Sequence, residues 1–144
     1  MKALSLFTGI GGFEVGMRDL GFDFVKLLEI DEKCCETLRK NHFSKGLINI
    51  EPIDITKKEP FDFYDKQVDY IVGGPPCQSF SAAGRRAGGI NGINDTRGSL
   101  FWYYCQYVKH FTPKAFVFEN VRGILSSKGG EDFKIICQSG FYEP

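Results

Sequence analysis

Short apolar runs alternate along the chain with longer segments in which apolar side chains recur at helical spacing. Runs of this length, bounded by glycine, proline or polar residues, predict buried strands. The predicted strands are residues 3–7, 25–30, 47–50, 68–72 and 115–118. The segments between and after them predict helices over residues 13–20, 32–41, 99–111 and 131–138. Strands separated by helices indicate parallel βαβ units and hence a doubly wound, mostly parallel α/β sheet.

Local residues indicate where several of these elements begin and end. Gly21 follows the first helix, where glycine readily takes the left-handed conformation that ends a helix. Asp31 stands where a carboxylate can cap the second helix. The sequence Gly-Gly-Pro-Pro at residues 73–76 ends the fourth strand, because proline cannot donate to a sheet ladder.

The composition is that of about one ordinary globular domain. Of 144 residues, 42% are hydrophobic and 25% charged, and 18 basic side chains balance 18 acidic ones. This balance argues against a basic whole-chain footprint for nucleic acid or a membrane surface, although it permits a local basic patch. The apolar stretches are too short to span a bilayer and the start of the chain does not resemble a secretory signal, so we expect a cytoplasmic location.

The cysteines indicate neither a disulfide framework nor a metal site. They stand at positions 34, 35, 77, 105 and 137, an odd number without a CxxC pair, and the two histidines do not cluster with them. In a reducing compartment we expect most of these thiols to be small buried hydrophobic residues.

A glycine-rich turn follows the first strand. Residues 7–12 read Phe-Thr-Gly-Ile-Gly-Gly, and Glu29 ends the second strand 20 positions after Gly9. Such a turn admits a ligand to the backbone, and a carboxylate at that spacing can accept ribose hydroxyls. Glu14 stands where a dinucleotide fingerprint has its third glycine, and an acid there opposes a pyrophosphate. S-adenosylmethionine, which carries ammonium and sulfonium groups, fits better than NAD; the alternative is a plain glycine turn with an incidental acid.

Two reactive side chains follow the fourth and fifth predicted strands. Cys77 comes after two rigid prolines, and Glu119 comes directly after residues 115–118. If these strands are parallel neighbours, their carboxyl ends share one rim, and the two side chains face one pocket as nucleophile and proton donor. The alternatives are a structural cysteine and a carboxylate that caps the following turn.

The segment between them, residues 81–98, has five glycines and a net charge of +2 within a neutral chain. A basic, glycine-rich flap beside a nucleophile suits closure over a polyanion. A solvated surface loop is the alternative.

Three motifs, in this order, resemble those of the cytosine-5 DNA methyltransferases. They are FTGIGGFEVG at residues 7–16, GGPPCQSFS at 73–81 and FVFENVRG at 116–123, which resemble the cofactor, nucleophile and acid motifs of that family. The resemblance covers residues 4 to about 123. It implies a Rossmann-like methyltransferase fold, S-adenosyl-L-methionine as cofactor, and methylation of double-stranded DNA, as in restriction-modification systems.

The resemblance also implies roles for individual positions. Glu29 would bind the ribose and Ile30 would pack on the adenine. The other implied cofactor-binding residues are Phe7, Thr8, Gly9, Ile10, Gly12, Asp54, Ile55, Pro76 and Leu100. The implied substrate-binding residues are Gln78, Ser81, Arg97 and Asn120.

In the implied reaction the Cys77 thiolate adds to C6 of a flipped-out cytosine, while Glu119 holds a proton at N3. C5 then takes the methyl group, and loss of the C5 proton and of the thiol restores the ring. Nearby arginines would favour the thiolate.

The family continues well beyond this length. Residues 1–144 correspond to the N-terminal part of the catalytic and cofactor-binding domain, and the target-recognition region and C-terminal segment have no counterpart. We therefore expect a fragment or one subunit of a split enzyme, inactive alone and completed by a second chain, with no membrane partner. Two alternatives stay open, an RNA cytosine-5 methyltransferase and a non-catalytic module that binds cofactor or a partner; an NAD-linked enzyme is the weakest.

Overall fold

The computed structural model describes residues 1–41, 50–62, 67–76 and 100–139. The described strands are β1 (Lys2–Leu6), β2 (Asp23–Leu28), β3 (Tyr70–Gly73) and β4 (Ala115–Phe118). The described α-helices are α1 (Gly12–Met17), α2 (Glu32–Asn41), α3 (Leu100–Phe111) and α4 (Glu131–Ser139). Short 3-10 segments lie at Arg18–Leu20, Ile55–Lys57, Pro60–Asp62 and Arg122–Gly130. The strands form one sheet in the order β2-β1-β3-β4, and every pair is parallel.

Side chains of the central strand β1 divide between two apolar cores, one on each face of the sheet. Leu4 and Leu6 pack in a core to which α3 contributes Tyr104, Tyr107, Val108 and Phe111. Ala3 packs in a second core with Cys35 and Leu38 of α2. Helices therefore cover both faces, which confirms the predicted doubly wound α/β fold.

Most of the predicted elements in the described part of the chain are present. α1 gives way to a 3-10 turn that ends at Gly21, whose φ of 78° is left-handed as predicted. The carboxylate of Asp31 accepts a hydrogen bond of 2.9 Å from the amide of Cys34, which confirms the predicted cap of α2. β4 has its predicted bounds, whereas β2 begins and ends two residues before the predicted 25–30.

The strand predicted at residues 47–50 is wrong for Ile50. This residue is buried in the core beside α2 but belongs to no strand, because an apolar residue in a connecting segment can fill a core position without pairing. Residues 47–49 lie outside the described residues.

The buried thiols agree with the expectation of small hydrophobic residues. Burial raises the pKa of Cys35 to about 11 and that of Cys105 to about 12, so both stay protonated near neutral pH. Cys34 is half-buried and Cys137 is exposed. None of the helices in the described ranges is long and apolar enough to cross a membrane.

Strand order and register bring four strand ends to one rim. The chain passes from β1 to β2 on one side and then to β3 on the other, so the order reverses at β1 and β3. Leu6 pairs with both Leu28 and Gly73, and Gly73 pairs with Phe118. The next residue of each strand therefore stands on the rim where open α/β sheets bind ligands. These residues are Phe7, Glu29, Gly74 and Glu119.

Candidate active site

A cavity of about 290 Å³ opens at the carboxyl ends of the strands, at the point where the strand order reverses. Its volume lies near the lower end of the range for small-molecule sites. The lining residues are Phe7, Gly9, Leu28, Glu29, Ile30, Ile53, Asp54, Ile55, Gly74, Pro76 and Leu100. Apolar side chains and backbone form most of this wall, with two carboxylates as its charged groups.

The cavity brings together most of the residues predicted to bind cofactor. Those on its wall are Phe7, Gly9, Glu29, Ile30, Asp54, Ile55, Pro76 and Leu100. Thr8, Ile10 and Gly12 are not on the wall. The Thr8 hydroxyl lies within hydrogen-bond distance of Ser5 Oγ and the Leu28 carbonyl, and Ile10 is 65% exposed on the outside of the turn.

Three wall residues were missed by sequence reasoning: Leu28, Ile53 and Gly74. Leu28 directly precedes the predicted carboxylate, so the alternation of the strand could have found it. Ile53 and Gly74 carry no such signal, because their place depends on a contact with a distant segment. The backbone amide of Ile53 donates to the carbonyl of Glu29 at 2.6 Å and so brings residues 53–55 to the end of β2.

The glycine turn has an unusual backbone. Phe7 has a φ of 55°, and Gly9 and Gly11 have φ values of 59° and 95°. A left-handed conformation costs a non-glycine residue energy, so its presence in a cavity wall marks a conformation imposed by the surrounding contacts. The amide of Thr8 donates to the carbonyl of Leu28 at 3.1 Å, which ties this turn to β2.

Glu29 spans the gap between the turn and the end of β2. Its Oε2 accepts a 2.7 Å hydrogen bond from the amide of Gly9. Its Oε1 accepts bonds of 2.9 Å and 2.8 Å from the amides of Ile30 and Asp31. The carboxylate therefore lies on the cavity wall with three backbone donors already around it.

Asp54 forms the opposite polar corner. Its Oδ1 accepts hydrogen bonds from the amide of Thr56 at 3.0 Å and from the hydroxyl at 2.7 Å, and Lys57 Nζ lies 3.4 Å from Oδ2. The hydrogen bonds from Thr56 lower the pKa of Asp54, with a smaller contribution from Lys57. The corner is therefore anionic at neutral pH and can accept a hydrogen bond from a ligand.

Glu14 lies behind the turn rather than in the cavity. Its side chain is 2% exposed, and neither carboxylate oxygen has a hydrogen-bond partner among the described residues. Burial of the side chain raises the pKa of Glu14 above its ordinary range. A raised pKa means that this buried carboxyl takes up a proton more readily than an exposed glutamate does.

The Glu119 carboxylate lies against the backbone of Gly74. A Cβ built on Gly74 would be 2.5 Å from Glu119 Oε2, so glycine at this position leaves the room that the carboxylate occupies. The amide of Glu119 donates to the carbonyl of Gly73 at 3.0 Å, one step beyond the paired residues of β3 and β4. Glu119 thus lies beside Gly74, which stands three positions before Cys77 in the sequence.

Tyr104 of α3 packs against β4 and anchors it. Its hydroxyl donates to the carbonyl of Val117 at 2.9 Å, and its ring meets that of Phe118 edge-on with centroids 5.3 Å apart. The side chain is fully buried. These contacts fix the end of β4, which Glu119 and Asn120 directly follow. Asn120 Oδ1 is buried and has no hydrogen-bond partner among the described residues.

Four predicted site residues lie outside the described residues: Cys77, Gln78, Ser81 and Arg97. The flap predicted at residues 81–98 lies outside them as well. Their roles stay predictions.

A doubly wound parallel sheet with a glycine turn and a carboxylate-bearing cavity at its switch point defines a nucleotide-cofactor-binding α/β protein. The family model for C-5 cytosine-specific DNA methylase matches residues 1–140, and the chain belongs to that family. Membership implies S-adenosyl-L-methionine as the methyl donor.

The relatives it matches are longer proteins. The chain is 43% identical over 138 residues to the type II methyltransferase M.FnuDI of Fusobacterium nucleatum, covering 96% of this chain and 37% of that protein. It is 37% identical over 138 residues to the type II methyltransferase M.AquIA of Picosynechococcus, covering 94% and 54%. The chain thus spans between about a third and a half of their length.

Solved structures show the same fold. A crystal structure provisionally assigned as a DNA modification methyltransferase, encoded within an E. coli prophage, superposes with a TM-score of 0.71 at 31% identity. The match covers 99% of this chain and 39% of that one. The S. pombe Dnmt2 methyltransferase, at 23% identity and a TM-score of 0.68, covers 94% of this chain and 41% of its own, and shows the fold alone.

Proposed function

We propose that this chain supplies the cofactor pocket and the catalytic motifs of a DNA cytosine-5 methyltransferase. The observation that carries the proposal is the cavity at the switch point. Residues from the ends of all three neighbouring strands β1, β2 and β3 line it, and Glu119 from β4 lies against its wall residue Gly74. Family membership supports the proposed reaction type, and this arrangement supports the proposed site.

The residues of the cavity fit S-adenosyl-L-methionine by their chemistry. Ile30, Ile55 and Leu100 offer apolar surface to an adenine, and Asp54 offers an acceptor to its amino group. Glu29 Oε2 receives one backbone donor, which leaves room for a ribose hydroxyl. The bound cofactor would supply an electrophilic methyl group.

The chain's own residues would activate the base. The Cys77 thiolate adds to C6 of a flipped-out cytosine, and a proton held by Glu119 at N3 balances the negative charge that this addition develops. The enamine so formed makes C5 nucleophilic toward the methyl group. Loss of the C5 proton and then of the thiol restores the aromatic ring. Gly74 serves this step by leaving room for the Glu119 carboxylate beside the segment that leads to Cys77.

We propose double-stranded DNA as the substrate, and a second polypeptide or segment that completes the enzyme on it. Among the described strands β4 pairs only with β3. Phe116 and Phe118 face α3, so Val117 points to the opposite face, where it is 47% exposed. A strand at a sheet edge with an exposed apolar side chain favours further pairing or cover.

The test is transfer of labelled methyl from S-adenosyl-L-methionine. The chain is assayed alone and with the part of M.FnuDI that it does not match supplied in trans, on mixed genomic DNA and on transfer RNA. Transfer to DNA that disappears in Cys77→Ser supports the proposal. Transfer confined to RNA contradicts the proposed substrate, and transfer that survives Cys77→Ser contradicts the proposed nucleophile.

A further inference from the structure

The hydrogen bonds of Glu29 join separate parts of the cavity wall. Through Oε2 it holds Gly9 of the glycine turn, and through Oε1 it holds the amides of Ile30 and Asp31 that follow β2. Its backbone carbonyl accepts from the amide of Ile53 at 2.6 Å. One residue therefore connects three chain segments that are distant in sequence and that all border the cavity.

These bonds use three of the roughly four acceptor positions of a carboxylate. They join the glycine turn to the end of β2 and so shape this part of the cavity wall. Bonds from backbone amides to an ionised carboxylate are stronger than bonds between neutral groups.

We propose that Glu29 is a positioning residue that holds the glycine turn against the end of β2 in the ligand-free protein, separately from any contact with a cofactor ribose. The part that concerns ligand affinity rests on the proposed function, since it assumes that S-adenosyl nucleosides occupy this cavity. The part that concerns the turn rests on the hydrogen bonds alone.

Two substitutions separate the effect of the length of the Glu29 side chain from the effect of its negative charge. In Glu29→Gln the remaining oxygen is best placed toward the paired amides of Ile30 and Asp31, which turns the new NH₂ group toward the Gly9 amide and removes that bond. In Glu29→Asp the charge is kept, but the side chain is one methylene shorter and cannot span to Gly9. Both variants therefore release the glycine turn, and only one removes the charge.

The first measurement is amide hydrogen exchange at Gly9 in the protein without ligand. Loss of a hydrogen bond to a charged acceptor predicts exchange about tenfold faster in both variants. Glu36→Gln, the same chemical change on the exposed face of α2, serves as the control and should leave Gly9 exchange unchanged. Wild-type exchange at Gly9 in both Glu29 variants would overturn the proposal.

The second measurement compares two ligands by calorimetry, S-adenosylhomocysteine and its 2′,3′-dideoxyribose analogue. If Glu29 holds the turn, Glu29→Gln should bind the analogue about tenfold more weakly than the wild type does. This loss of affinity is expected although the analogue has no ribose hydroxyl for the carboxylate to bind. If Glu29 acts only through the ribose, the analogue binds both proteins equally, and the proposal fails.

The two measurements also separate this inference from the proposed function. A wild-type protein that binds neither nucleoside contradicts the proposed cofactor site. The exchange rate at Gly9 would still decide whether Glu29 holds the turn.

Discussion

The carboxylate of Glu119 occupies the space that a side chain on Gly74 would need, because a Cβ at position 74 would lie 2.5 Å from Glu119 Oε2. The two residues are 45 positions apart in sequence, and the pairing of β3 with β4 brings them together. The glycine before the prolines therefore has a steric role.

Gly74→Ala should displace the Glu119 carboxylate. The atom met is the far end of a flexible side chain, so we expect the carboxylate to move while the fold persists. A displacement of about 1 Å at a reacting group can cost about 100-fold in rate. Methyl transfer by the complemented enzyme should therefore fall steeply, with little change in thermal unfolding. Gly16→Ala, where a Cβ meets nothing within 4 Å, is the matched control, and equal activity of the two variants would refute the steric role.

Gly73→Ala should act on stability. Here a Cβ would lie 2.3 Å from the carbonyl oxygen of Leu6, and a backbone atom in a central strand cannot yield as a side chain can. Overpacking of this kind costs about 1–3 kcal/mol, which urea unfolding would detect. Gly16→Ala should instead raise the free energy of unfolding by about 0.5–1 kcal/mol, because alanine is more favourable than glycine inside a helix. A Gly73→Ala protein as stable as the wild type would contradict the packing described for β1 and β3.

Glu14→Gln should remove a dependence of stability on pH. Burial raises the pKa of Glu14 above its ordinary value, so the folded state binds a proton more tightly than the unfolded chain. The stabilisation from this tighter proton binding is complete below the ordinary pKa of 4.5. It is lost as the pH rises through the pKa of Glu14 in the folded state. Glutamine cannot ionise, so the variant should gain stability relative to the wild type as the pH rises.

The measurement for Glu14 is urea unfolding from about pH 4 to about pH 8. Glu36→Gln, an exposed position on α2, controls for the general effect of losing an acid. An identical pH profile in wild type and Glu14→Gln would show that the carboxyl is not held neutral by burial.

Substitutions of Phe7 test whether the backbone of the glycine turn is strained. At a φ of 55°, alanine carries the left-handed penalty of about 1–2 kcal/mol that glycine escapes. Phe7→Gly should therefore come out more stable to urea than Phe7→Ala, in part offset by the greater freedom of glycine in the unfolded chain. Both should bind S-adenosylhomocysteine more weakly than the wild type, since both lose the ring on the cavity wall. The reverse order of stability would show that the turn relaxes when the ring is removed.

Sequence reasoning found the elements whose signals are local. Asp31 caps α2, Gly21 ends the first helical segment, and β4 has its predicted bounds, because capping geometry and apolar runs are properties of neighbouring residues. It placed β2 two residues late, and it placed Ile50 in a strand. Strand ends depend on which partners supply hydrogen bonds, and a single sequence does not show those partners.

For the candidate site, too, local signals could be predicted and contacts between distant segments could not. The spacing from Gly9 led to Glu29, and the family resemblance led to Asp54 and Pro76. All three line the cavity. The contacts that shape it could not be predicted, since the bond from Gly9 to Glu29 and the space shared by Gly74 and Glu119 exist only after the strands have taken their register.

The order β2-β1-β3-β4 has a consequence for folding. The cavity wall draws on residues from Phe7 to Leu100, so no local segment can form it, and closing such long loops makes assembly slow. A ligand that binds only the completed rim selects the fully assembled sheet and stabilises it by about 2.7 kcal/mol at a free concentration of 100 Kd. A cofactor that binds this rim would therefore also act as a folding partner, because the folded fraction rises with its free concentration.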